Sequence, residues 1–261
     1  MSTTQTGERS AAPSPPPRVP NWAANGRRGP WAAVAAAVVL LGTAAVILWG
    51  RVPLPSFPDL AAAPDPAIAG TVAYLQPELN RGCIRLVPAS GGESTELTCR
   101  FDGVEALFWT PDANLLVLTA WEDGLGATVV DPESGATLQR VPLAVGDKPS
   151  ELNQDLYTRD GQRLVVVDEG RGRPALMVRT GDTSSTLLTV EGPADYRFEA
   201  AQWSPDGNWV LLTDNHGRLL VLGDGGTPGP RVLVDVGEPS WVMPAWYVPG
   251  TTAGTVDPAN L

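Results

Sequence analysis

From Gly70 onward, short apolar runs alternate with clusters of Gly, Pro, Asp and Asn, the pattern of successive β-strands joined by tight turns. One stretch is the clearest example: Ala201-Gln202-Trp203-Ser204-Pro205-Asp206-Gly207-Asn208-Trp209-Val210-Leu211-Leu212 reads as strand, turn and strand. Ser204 suits the first position of a type I turn, Pro205 presets φ at the second, and Gly207 ends it. Weaker copies follow Trp109 and Tyr157, and a remnant surrounds Trp246. The aromatics at 109, 157, 203 and 246 are spaced by 48, 46 and 43 residues.

After each turn comes a strongly apolar second run, at 115–119, 164–167 and 210–213. A third follows at 127–130, 175–178 and 219–222, and a fourth at 137–141, 186–190 and 231–234. A period in the forties made of four strands predicts propeller blades, and near-continuous apolar second strands predict burial on both faces. The ends are incomplete in a complementary way. Residues 71–75, 83–87 and 95–99 read as second, third and fourth strands without a first; 240–247 reads as a first strand alone. Joining them predicts an all-β, four-bladed β-propeller over residues 70–250, closed by the C-terminal strand. An open array, or a ring completed by another chain, is the alternative.

At these residues the chain resembles the TolB-like, WD40-like β-propeller repeats, whose core is Trp-Ser-Pro-Asp-Gly. The match is complete at 203–207; the copy after Trp109 has Ala113 for the glycine, and the copy after Tyr157 has Arg159 for the proline. The resemblance implies a protein-binding platform. Related propellers also precede hydrolase domains in the prolyl oligopeptidase family, but fold analogy alone assigns no activity.

The N-terminal third differs in kind. Residues 1–28 are rich in Ser, Thr, Pro, Ala and Arg and predict a disordered tail, because such a segment buries too little apolar surface to offset its ordering entropy. Residues 29–50 carry no charge, and as a helix they would span about 33 Å, enough to cross a hydrocarbon core. Trp31 and Trp49 stand at the two ends, where indole rings favour the lipid–water boundary. Arg27 and Arg28 precede the span, so the positive-inside rule puts the tail in the cytoplasm and the body outside. The span is too long for the core of a cleaved signal peptide, and the flank Arg51-Val52-Pro53-Leu54-Pro55 offers no cleavage site. The expectation is therefore a single-pass signal anchor. The Pro-rich residues 51–69 read as a semi-extended linker, and 251–261 as a flexible tail.

Charge narrows the partners. The formal net charge is −11, and residues 1–30 hold Arg9, Arg18, Arg27 and Arg28 against Glu8 alone, so the body is more acidic still. Such a surface repels phosphate backbones, so no nucleic-acid partner is expected. Other envelope or membrane proteins are the expected partners, through an accessory or scaffold role.

Candidate chemistry is sparse. Cys83 and Cys99 fall on neighbouring strands of the first blade, and outside the cytoplasm they are expected to form a disulfide. No metal site and no cofactor are expected, since His216 is the sole histidine and no paired Cys motif occurs. His216 lies in Asp214-Asn215-His216-Gly217, a run of turn-formers, and no Gly-x-Ser-x-Gly elbow is present, so no catalytic residue is assigned. The loops between second and third strands carry Glu78, Glu122, Asp123, Asp168, Glu169 and Asp214, with Trp121 beside them. They define a candidate acidic rim on one face, able to attract a cation or a basic partner, against the plainer reading of soluble hairpin turns. The competing functional class is an extracellular enzyme or ligand-binding protein acting on glycan or peptide through those carboxylates. A sensor reporting inward through the Arg-containing tail ranks last.

Overall fold

A computed structural model describes residues 52–78, 81–121, 124–143, 159–240 and 242–261. Among them no helix is long and apolar enough to cross a membrane; the expected span at 29–50 and tail at 1–28 lie outside the described residues.

The body is four antiparallel sheets of three or four strands, a propeller-like repeat fold. The first sheet holds β1 (Thr71–Glu78), β2 (Arg81–Pro88) and β3 (Thr95–Thr98). The second holds β4 (Val104–Trp109), β5 (Leu115–Trp121), β6 (Gly124–Val130) and β7 (Thr137–Pro142). The third holds β8 (Gln162–Asp168), β9 (Pro174–Thr180) and β10 (Thr183–Thr189); its expected first strand, ending at Tyr157, lies outside the described residues. The fourth holds β11 (Phe198–Trp203), β12 (Trp209–Asp214), β13 (Arg218–Gly223) and β14 (Arg231–Asp235).

The last strand, β15 (Ala245–Tyr247), joins the first sheet in the order β15-β1-β2-β3. Its register sets Thr71 opposite Tyr247, Val72 opposite Trp246 and Ala73 opposite Ala245. The approach is close: a Cβ on Gly70, whose φ is +100°, would stand 2.0 Å from the Tyr247 carbonyl oxygen, so only glycine fits. The pairing of C-terminal and N-terminal strands expected from the two incomplete repeats is present.

The repeat motif forms the turn its residues dictate. The Gly207 amide donates to the Ser204 carbonyl, Ser204 Oγ donates to Asp206 and accepts from the Trp209 amide, and Gly207 has φ +73°. In the copy after Trp109 the same bond runs from the Ala113 amide to the Thr110 carbonyl. Ala113 is forced to φ +62°, which costs a non-glycine residue about 1–2 kcal/mol. In the copy before β8 both Asp160 and Gly161 have positive φ, so a two-residue turn of the I′ kind replaces the type I turn.

Apolar clusters join the sheets. Leu115 and Val117 of β5 pack with Ala73, Leu75 and Ile84 of the first sheet. Leu211, Leu219 and Val221 of the fourth sheet pack with Val72, Tyr74 and Val87 of the first. Val210, Leu212 and Leu220 meet Leu176 of the third, with Leu164 and Val166 alongside. β5 and β12 are thus covered on both faces, as expected. β8 differs: Leu164 and Val166 pack into the core, while Arg163 and Val165 on its other face are exposed.

Two terminal segments depart from expectation. The linker does not stand free. Its residues 58–60 run parallel to β14, with the Val232 amide donating to Pro58 and the Leu60 amide donating to Val232, and Leu60 is fully buried. An open sheet edge is thereby covered by a proline-bearing segment. Residues 251–261, expected as a flexible tail, are seated on the second sheet, where Val256 is buried and Leu261 packs beside it.

Candidate functional site

The loops expected to form a rim do not share one environment. Glu122 and Asp123 lie outside the described residues, as do the side chains of Glu78 and Trp121. Asp168 and Glu169 are exposed in the β8–β9 connection, where the Asp168 carboxylate caps its own turn by accepting from the Gly170 amide. Asp214 is the correction. It is 1% exposed, so it is not part of any surface rim.

Asp214 ends β12 and Arg218 begins β13, so the tight turn between them folds the pair together. Oδ1 of Asp214 accepts from the His216 and Arg218 amides; Oδ2 accepts from Arg218 Nε at 2.7 Å and from Tyr196 Oη at 3.2 Å. Every requirement of a buried ion pair is met: opposite charge, good geometry and satisfied lone pairs. The guanidinium also donates to the Pro55 carbonyl at 2.7 Å and lies over the rings of Phe57 and Tyr196. Burial, followed by the Asp214 charge, holds the Tyr196 phenol far above its ordinary range, so it stays a neutral donor. The network fastens the N-terminal linker to the fourth sheet. The sequence signal for Arg218 is a charge at the start of an otherwise apolar strand.

His216 is the turn residue expected. It stacks on Tyr196 with 6.0 Å between ring centroids, and its Nε2 is buried without a hydrogen-bond partner. The other bonds of this turn close the hairpin, with the His216 amide donating to Asp214 Oδ1 and the Gly217 amide to the Asp214 carbonyl.

Beside this network, a crevice between the first and fourth sheets is lined by Tyr74, Leu75, Asp214, Ser240, Val242 and Pro244. It offers about 10 Å³, room for one water molecule. Organic ligands need some tens of times more.

The repeated tryptophans serve as fasteners between strands. Trp109 Nε1 donates to the Ala245 carbonyl at 3.0 Å, and Trp246 Nε1 donates to the Ala69 carbonyl at 3.0 Å. The Trp203 indole instead lies beneath the Arg159 guanidinium, which pairs with Asp224 at 2.6 Å. Trp241 lies outside the described residues.

Cys83 and Cys99 form the expected disulfide, joining β2 to the end of β3. Among the described residues, the grouping of metal-ligand side chains is these two cysteines with Glu96, and their sulfurs are bonded to each other.

No family model matches the chain, and no curated protein does. Among solved structures it is similar to TolB from Acinetobacter baumannii, at 14% identity over 66% of this chain and 43% of that one, with a TM-score of 0.27. It is similar to a TolB-type structure from Agrobacterium tumefaciens, at 16% identity over 64% and 63%, with a TM-score of 0.26. It is also similar to the β-propeller domain of Cps50 (Swd1) from Myceliophteria thermophila, at 12% identity over 81% and 70%, with a TM-score of 0.24. The chain spans less than two thirds of the length of either TolB structure.

Proposed function

We propose that this chain is a single-pass membrane protein whose extracytoplasmic propeller-like body binds other envelope or membrane proteins as a scaffold or accessory subunit. The observation that carries the binding reading is the commitment of Asp214 and His216 to holding a hairpin beside a crevice with room for one water. The strand edges and loops of a propeller-like body are the surfaces that meet its partners. The anchor is supported by the uncharged residues 29–50 behind Arg27 and Arg28, and the outward orientation by the Cys83–Cys99 disulfide, which persists in oxidising compartments.

The test is in-membrane crosslinking followed by purification of the full-length chain through a tag at its N-terminus, which leaves the seated C-terminal segment untouched. Recovery of a stoichiometric set of membrane proteins is expected. Recovery of the chain alone overturns the scaffold reading, and release by alkaline carbonate overturns the anchor.

A further inference from the structure

Residues 55–60 are seated on the body from their first residue. The Arg218 guanidinium holds the Pro55 carbonyl at 2.7 Å, Phe57 packs among apolar residues of the third and fourth sheets, and Leu60 is buried. Asp65 then pairs with Arg231 at 2.6 Å, which pins the segment a second time. The residues just before Pro55 are different: Val52 is 51% exposed and Leu54 is 43% exposed. Among the described residues the exposed large apolar side chains are Val52, Leu54, Leu138 and Val165, and the first two stand together where the uncharged run of residues 29–50 has just ended. Chain length decides what surrounds them. Two extended residues reach at most about 7 Å, and five reach at most about 17 Å. The headgroup layer on each side of a hydrocarbon core is about 5–8 Å thick. With Gly50 at the boundary of the core, Val52 stays within that layer, and the Pro55 seat lies at most about 12 Å beyond it. Pro53 and Pro55, whose rings fix φ, leave this connection few conformations.

We propose that Val52 and Leu54 are lipid contacts set into the headgroup layer, and that the edge of the fourth sheet covered by residues 55–60 is the bilayer-facing surface of the body. The proposal rests on the anchor reading above and names the surface that the body turns to lipid. Two neighbouring apolar side chains in that layer give up contact with water, which favours their staying there. Because Arg218 holds the Pro55 carbonyl, the lipid contact is joined to the start of β13 and not to a loose stalk.

The test uses the full chain in phosphatidylcholine vesicles, spin-labelled at one introduced cysteine without reductant, so that the Cys83–Cys99 disulfide stays closed. Collisions of the label with oxygen, which concentrates in lipid, are compared with collisions with a nickel chelate, which stays in water. Labels at Val52→Cys and Leu54→Cys are expected to favour oxygen. A label at Glu133→Cys, exposed in the turn between β6 and β7, is expected to favour the chelate. A label at Val39→Cys, in the middle of the uncharged run, reports the anchor separately. Oxygen preference at 39 with chelate preference at both 52 and 54 overturns the proposal and leaves the anchor standing; chelate preference at 39 overturns both. A second measurement reads the sheet edge itself, by energy transfer to an acceptor attached to lipid headgroups. Transfer is expected to be stronger from a donor at Ser56→Cys, exposed on the seated segment, than from one at Glu133→Cys. Equal or weaker transfer from Ser56→Cys overturns the assignment of that edge to the bilayer.

Discussion

Trp109 and Ala245 stand 136 residues apart in sequence, yet the indole of one donates to the carbonyl of the other at 3.0 Å. The same ring lies 5.3 Å from that of Tyr247, so β4 and β15 are held by a hydrogen bond and an aromatic contact together. Trp109→Phe keeps an aromatic ring and removes the donor. It should cost about 1–3 kcal/mol, read as a lower urea midpoint with an unchanged slope.

Ala113 occupies the left-handed conformation that glycine fills at position 207 in the complete repeat. Ala113→Gly should stabilise the chain by about 0.5–1 kcal/mol, the relief of strain exceeding the added chain entropy. A rise in melting temperature checks it; a fall would mean that the turn tolerates alanine without strain.

Arg218 neutralises buried Asp214 and holds the Pro55 carbonyl. Arg218→Met should cost about 3–5 kcal/mol by leaving a buried carboxylate unpaired, and the double variant with Asp214→Asn should recover part of that loss. Limited proteolysis supplies the specific readout: cleavage around residues 52–60 should appear in Arg218→Met under conditions where the unaltered chain resists.

The Cys83–Cys99 disulfide closes a loop with a sequence separation of 16. Cys83→Ser combined with Cys99→Ser should lower stability by about 3 kcal/mol, and reductant should then have no further effect on the unfolding midpoint.

Asp65 accepts from Arg231 at 2.6 Å and from the Ala67 amide, and these bonds, the Arg231 bond first, hold its carboxyl below the ordinary value of 3.8. Because the folded value is depressed, the contribution is present above the unfolded value and is lost as pH falls through the folded one. The unfolding midpoint should therefore decline below about pH 5, and Asp65→Asn should flatten part of that decline. Asp206 and Asp131 add to the same limb. Burial raises the Asp206 carboxyl, but its hydrogen bonds with Ser204 and Asn208 outweigh this, and the Ser134 hydroxyl lowers Asp131.

Local chemistry was readable where it is also sufficient. The Ser-Pro-Asp-Gly turn encodes its own hydrogen bonds, and the alternation of apolar runs and turn-formers located the second, third and fourth strands of each sheet. The pairing of β15 with β1 followed from two incomplete repeats. What escaped were pairings that depend on a few backbone groups. Residues 58–60 attach to β14 through the Pro58 carbonyl and Leu60 amide, and the surrounding prolines make the segment read as a spacer. Val256 is a lone apolar residue among small and polar ones, so nothing in its neighbourhood announces burial. Asp214 looked like a loop carboxylate because its neutralising partner lies four residues on, across the turn, in a strand otherwise read as apolar.

The pairing of β15 with β1 imposes an order on synthesis. A chain emerging from its N-terminus can build its second and fourth sheets from contiguous sequence, but β1 waits exposed on one edge until residues 245–247 have been made. Through that interval the first sheet presents an unpaired, apolar template, a hazard for association with neighbouring nascent chains. Completion of the fold is thus a late, long-range event, and ribosomes stalled shortly before residue 245 should display chains that bind chaperones, whereas those released just beyond it should not.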